Sequence, residues 1–271
     1  MSVQQKYDNL KKNLKTLNGA VVCYSGGVDS TLLLKASVEV LGREKVVALI
    51  ASSSTYPGSE IEEAKEFALS LGVAVELIET DEMNDEQFLA NTPNRCYHCK
   101  THLFGKAMAI ARERGLNKVL EGSNMDDQDD FRPGRKAGKE WGVESPLLLA
   151  GLTKKEIRTL SKELGLPTHD KPSLACLASR IPYGTKIEET ALHRIERSEE
   201  FLKTLGVGQL RVRYHGPVAR IEITDEDIDK VLTFREEISD ALQRFGFLYV
   251  TLDLKGYRTG SMNEGLGKDN S

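Results

Sequence analysis

Residues 20–30, Ala-Val-Val-Cys-Tyr-Ser-Gly-Gly-Val-Asp-Ser, decide the fold. Residues 20–24 form an apolar run of strand length. Residues 28–41 then place Leu32, Leu33, Ala36 and Val40 at helical spacing. Ser25 to Ser30 joins the two. Gly26 and Gly27 let the backbone turn sharply and present unshielded N–H groups. The start of the helix adds its positive end, so an anion is stabilised there. Ser25 and Ser30 offer hydroxyls, and Asp29 is a candidate for a Mg²⁺ that bridges phosphates. A capped helix behind a glycine turn is the bland alternative. The full string at the end of the first strand favours a phosphate cradle. It is not a Walker A loop, because no Gly-Lys-Ser/Thr occurs.

Outward from this stretch, strand and helix patterns alternate. Residues 46–51, 73–78 and 118–121 read as strands. Residues 60–71 and 98–114 read as helices, stopped by Gly72 and Gly115. Such alternation predicts an α/β fold, a parallel doubly wound sheet with ligands beyond the carboxyl ends of the strands. Residues 122–149 read as a long polar segment. Thr153 and Glu156 then form a capping box before a helix that ends at Gly165. The second half changes character. A helix over 187–205, a hairpin over 209–224, a helix to Arg244 and a strand over 247–254 predict an α+β module of ferredoxin-like order. The expected division is 1–184, 185–260 and a flexible tail at 261–271.

Composition sets further limits. Hydrophobic residues are 39% and charged residues 29% of 271, which excludes disorder of the whole chain. Lys+Arg 37 against Asp+Glu 41 gives a net charge of −4, unlike a general nucleic-acid coat. No apolar run reaches membrane-span length, and the N-terminus has no apolar signal core. A reducing, cytoplasmic setting is expected, with no membrane and no nucleic acid as partner. There the 4 cysteines lean towards metal or catalysis.

Cys96 and Cys99 form Cys-x-x-Cys in NRCYHCK at the start of a helix, and Cys176 lies in KPSLACLASR. Cys23, inside the first strand, is assigned to the core. The other three admit a redox dithiol, a zinc site completed by a histidine such as His102, or an iron–sulfur cluster with one open iron. Spacing does not separate the last two. Arg211 and Arg213 share one face of a strand, where bidentate guanidinium groups suit a phosphate. A salt-bridged surface is their bland reading, with Glu199, Glu200 and Glu222 as partners. His169, His193 and His215 are expected at the surface.

The string SGGVDS resembles the signature of the PP-loop, or N-type ATP pyrophosphatase, superfamily. That resemblance covers roughly the first 180 residues and implies a Rossmann-like sheet. It also implies cleavage of ATP between its α and β phosphates, with adenine near Ala51 to Ser54, Ala51 and Ser53 in particular. SGGVDS, PNRCYHCK, EGSNMDDQDDFRPGRKA, ESPLL and KPSLACLASRIPYG, in this order, resemble the LarE family. The resemblance implies ATP-dependent sulfur insertion into pyridinium-3,5-biscarboxylic acid mononucleotide, during biosynthesis of the nickel-pincer nucleotide cofactor.

Some LarE members carry one cysteine, at the position of Cys176, and surrender its sulfur. With Cys96 and Cys99 added, this chain resembles the three-cysteine members, which hold a [4Fe–4S] cluster. The resemblance further implies roles for Asp126, and more weakly for Asp129 and Asp130, with Mg²⁺ or the activated carboxylate. It implies that Ser179, Arg180, Arg211 and Arg213 hold the substrate phosphate, and that the chain forms trimers or hexamers. A tRNA thiolase, an ammonia-dependent amide ligase of the same superfamily and a zinc-stabilised nucleotide sensor are the alternatives.

Overall fold

A computed structural model describes residues 1–128, 133–172, 175–258 and 260–261. Its contacts divide the chain into two compact units. One comprises Met1–Phe88 with Pro93–Leu174, the other Leu89–Thr92 with Ala175–Ser271.

The first unit is built on four parallel strands, β1 (Ala20–Cys23), β2 (Val46–Ser52), β3 (Ala74–Glu79) and β4 (Lys118–Leu120). Their order is β3-β2-β1-β4. Ala20 is in register with Val46 on one side and Lys118 on the other. The order reverses between β1 and β4, and a crevice for ligand opens at such a switch point. The helices are α1 (Val3–Lys15), α2 (Val28–Leu41), α3 (Gly58–Ser70), α4 (Glu86–Leu89, whose last residue belongs to the other unit), α5 (Arg95–Glu113), α6 (Gly134–Glu140), α7 (Pro146–Leu149) and α8 (Lys154–Glu163).

Strand periodicity assigns alternate residues to two cores. Ala20, Val22, Val46, Ala48 and Ile50 pack with residues of α1, α2, α3 and α8. Val21, Cys23, Val47 and Leu49 pack with Leu103, Phe104, Ala107 and Ala111 of α5 and Ala137 of α6. Residues 122–149, expected as a long polar segment, carry a 3₁₀ turn at Met125–Gln128 as well as α6 and α7. A bridge between Leu120 and Glu144 returns the segment to the sheet edge. Asp129 and Asp130 lie outside the described residues.

The second unit contains α9 (Glu189–Thr204), β5 (Leu210–His215), β6 (Val218–Ile223), α10 (Ile228–Thr233), α11 (Arg235–Arg244) and β7 (Tyr249–Leu252). The sheet order is β5-β6-β7, antiparallel across the hairpin and parallel between β6 and β7. The parallel pair needs a crossover, which α10 and α11 supply. The single helix expected up to Arg244 is broken at Phe234, whose φ of −95° and ψ of 17° leave helical geometry. Just before the break, the Thr233 hydroxyl donates to the Asp229 carbonyl at 2.8 Å and competes with the helical ladder. A ferredoxin-like sheet needs four strands, whereas the described residues give this unit three. Most of the expected tail, residues 262–271, lies outside the described residues.

Leu89–Thr92 joins this unit through its backbone and one side chain. Leu89 accepts from the Ile187 N–H at 2.9 Å, and Asn91 accepts from Gly184 at 3.0 Å. The buried Asn91 amide donates to the carbonyls of Ile181, Pro182 and Thr185. No helix among the described residues is long and apolar enough to cross a membrane.

Candidate active site

The cradle follows β1, where the sequence places it. Gly26 has a φ of +70°, and a Cβ there would stand 2.8 Å from the Ala64 Cβ of α3. Only glycine satisfies both conditions. The Ser25 and Ser30 hydroxyls lie 3.1 Å apart, and Ser30 Oγ also donates to the Gly27 carbonyl at 3.1 Å. The loop is thus tied to itself ahead of any ligand. Gly27 is the N-cap of α2 and has no side chain to satisfy the first amides, which leaves them for an anion. Gly122, just past β4, packs so closely that a Cβ would meet the Ser30 nitrogen at 3.1 Å.

Asp29 sits in the first turn of α2. Its carboxylate accepts from the Asn124 amide at 3.3 Å and from the Lys154 ammonium. Asp126 accepts from the Lys154 backbone N–H at 2.8 Å, and Asp127 from the Asn124 N–H at 3.0 Å. Asp29, Asn124, Asp126 and Lys154 therefore meet where β1 and β4 end. Asp126 has one oxygen committed to the start of α8. Sequence reasoning missed Lys154. Its signal was available, because Lys154 and Lys155 open a helix whose N-terminus repels cations.

Ala51 lies near the end of β2, in register with Ile78. Ser53 follows, and its hydroxyl donates to Glu82 Oε1 at 2.6 Å. Glu82, another residue that pattern reading missed, is wholly buried.

Cys96 and Cys99 occupy the first turns of α5, the former exposed and the latter half-exposed. Lys100 follows on the same helix. Burial works against its charge, but Glu121 and then the thiols of Cys23, Cys99 and Cys96 hold it above the ordinary lysine value. Cys23 is a packed core thiol, and burial pushes it up to about 12. His102, the histidine considered for zinc, is engaged by Asp85 at 3.0 Å. Burial works to raise Asp85, yet hydrogen bonds from His102 and the Gln87 N–H hold its carboxyl below the usual range. Among the described residues, no three His, Cys, Asp or Glu side chains group closely enough to hold a metal ion. Cys96 and Cys99 belong to the first unit and Cys176 to the second.

In the second unit, Cys176 precedes a 3₁₀ turn at Leu177–Arg180. Arg180 turns inward. It forms a bidentate pair with Glu199 at 2.9 and 2.8 Å and donates to the carbonyls of Ala175 and Cys176 and to Ser179 Oγ. Burial opposes the Glu199 charge, but Arg180 and then Arg211 keep its carboxyl below the usual range. Arg213 donates to Glu222 at 2.8 Å and to the Ser179 carbonyl at 2.9 Å. Its Nε is buried with no hydrogen-bond partner among the described residues. Arg211 is held below its ordinary value, by burial first and by the Arg180 charge second. Its guanidinium lies 5.4 Å from the Tyr257 ring centroid. Of the three glutamates considered, Glu199 and Glu222 face inward and Glu200 faces solvent. The described part of this unit thus combines crowded arginines with an unpartnered donor, which suits an anion.

The NAD synthase family profile matches residues 2–121. An uncharacterised protein of Synechocystis sp. is 43% identical over 268 residues, 98% of this chain and 100% of that one. The pyridinium-3,5-bisthiocarboxylic acid mononucleotide synthase of Lactiplantibacillus plantarum is 38% identical over 255 residues, 94% of this chain and 92% of its own. An uncharacterised protein of Methanocaldococcus jannaschii is 32% identical, covering 93% and 95% of the two chains. With likeness of this degree along nearly the whole of both chains, and a PP-loop at the switch point of the sheet, the protein belongs to the LarE family.

Proposed function

We propose that the protein is an ATP-dependent sulfurtransferase that inserts sulfur into pyridinium-3,5-biscarboxylic acid mononucleotide. The meeting of Asp29, Asn124, Asp126 and Lys154 beyond β1 and β4 carries this reading. A substrate carboxylate oxygen attacks the α-phosphorus of ATP, and the bond to pyrophosphate breaks. The backbone amides after Ser25 and the start of α2 hold the departing charge. A sulfur nucleophile then attacks the adenylated carbon, AMP leaves with its electron pair, and a thiocarboxylate remains. Two rounds give the dithio product.

Asp29 is the carboxylate that would hold Mg²⁺, and Lys154 sets a positive charge beside it. Asp126 orders the start of α8 next to the reacting groups. Arg211 and Arg213 receive the mononucleotide phosphate, with Ser179 between Arg213 and Arg180. Arg180, fully engaged inside the protein, holds the Cys176 turn.

The donor chemistry of the Cys96–Cys99 pair, exposed and half-exposed, suits iron–sulfur ligation, while the packed thiol of Cys23 does not. Cys96, Cys99 and Cys176 would hold a [4Fe–4S] cluster. When bound, such a cluster supplies an open iron for a sulfide, so that Cys176 keeps its own sulfur. Assembly as a homo-oligomer, a trimer or hexamer, belongs to the same reading.

Anaerobic purification with iron and sulfide analysis and a visible spectrum tests the cluster. About four irons per chain are expected, with loss of the spectrum in Cys96→Ala. Iron-free protein with an unchanged Cys96→Ala variant would leave Cys176 as a lone donor.

A further inference from the structure

Glu82 lies in a 3₁₀ turn just after β3 and is wholly buried. Its Oε1 accepts from Ser53 Oγ at 2.6 Å and from Thr55 Oγ1 at 3.2 Å. Those hydroxyls stand 2.7 Å apart, and the Thr55 N–H donates to Ser53 Oγ at 3.2 Å. The Thr80 N–H donates to the Ser52 carbonyl at 3.2 Å, which joins the ends of β2 and β3. Both of these bonds of the carboxyl group run into the loop that leaves β2. Its second oxygen, Oε2, is buried with no hydrogen-bond partner among the described residues.

A buried carboxyl group with one oxygen unsatisfied costs stability and adds no apolar packing. A leucine or methionine there would fill the space without that penalty. What the carboxyl group adds is geometry. It gathers two hydroxyls onto one oxygen and fixes the turn from Ser52 to Thr55. The Ser53 carbonyl accepts from the Tyr56 N–H at 3.1 Å, so the loop is held in one shape by its side chains and by its backbone.

We propose that Glu82 is the positioning residue of the nucleobase loop. It acts on ATP through Ser53 and Thr55, without touching the phosphates. The inference rests on the reading that Ala51 to Ser54 meets adenine, and it deepens that reading. The cradle at Ser25–Ser30 has its own hydrogen bonds, so the two halves of the nucleotide site are separable by ligand.

Titration calorimetry with ATP and, separately, with inorganic pyrophosphate makes that separation. Glu82→Ala should bind ATP roughly tenfold more weakly, the equivalent of one lost charge-assisted hydrogen bond. Its affinity for pyrophosphate should be unchanged, and its preference for ATP over GTP should shrink. Glu82→Gln, which keeps the acceptor oxygen, should restore most of the ATP affinity. If Glu82→Ala does not fold by circular dichroism, Thr55→Val decides on the same two ligands, with a smaller loss for ATP alone. Equal ATP affinity in wild type and variant would overturn the proposal, as would equal losses for ATP and pyrophosphate. Wild-type protein that binds pyrophosphate but not ATP would instead overturn the adenine reading beneath it.

Discussion

Arg180 and Glu199 show how much one pair can decide. Both are buried, and each satisfies the other through two hydrogen bonds. Removing one partner strands the other charge, so Arg180→Ala should lower stability by about 3–5 kcal/mol in denaturant titration. The pH dependence has a definite sign. Glu199 is held below its ordinary range, so its stabilisation is complete above the unfolded carboxyl value of about 4.3 and fades as pH falls through the depressed folded value. Unfolding curves between about pH 6 and pH 2 should show this loss in wild type and a flatter profile in Arg180→Met. Cys23 makes a second residue-scale test. With its thiol pushed up to about 12, alkylation of iron-free protein at pH 8 followed by peptide mapping should modify Cys96, Cys99 and Cys176 long before Cys23. The sequence anticipated a buried Cys23 from its strand, and it offered Glu199 as a partner for nearby arginines. It gave no sign that Arg180 would be consumed by internal bonds, because bond count depends on the path of the Cys176 turn.

At the scale of elements, β1 and β2 were legible because buried strands read as continuous apolar runs. The capping box at Thr153 and Glu156 is present on both sides, with bonds of 3.3 and 2.9 Å. The Phe234 break was hidden, since apolar spacing runs through it and a side-chain bond to the backbone leaves no periodic trace. The cradle was legible in its glycines, while Lys154 and Glu82 reach their positions by tertiary packing. Gly26 gives the element-scale prediction. Gly26→Ala puts a methyl group against Ala64 at a positive φ, so pyrophosphate binding should fall at least tenfold while the far-ultraviolet spectrum holds. Gly26→Ala with Ala64→Gly should recover part of that loss. Unaltered affinity in Gly26→Ala would remove the loop from the phosphate site.

For the whole molecule, the strings read along the chain led to the LarE family, and the comparisons agree over 94% of it. Leu89–Thr92, which contributes to the second unit from within the first unit's sequence, was not legible. Its attachment combines two backbone bonds with one buried asparagine that meets three carbonyls far along the chain. The proposed chemistry gives separate tasks to the cradle, to Cys96, Cys99 and Cys176, and to the arginines. Turnover number tests that division of labour most directly. Anaerobic protein given iron, sulfide, Mg²⁺, ATP and pyridinium-3,5-biscarboxylic acid mononucleotide would be followed by mass spectrometry of small molecules and of the Cys176 peptide. Thiocarboxylate products in excess of protein, AMP in step with them, and an intact Cys176 are expected. Product capped at one sulfur per chain, with Cys176 converted to dehydroalanine, or product formed without AMP, would contradict the proposed chemistry.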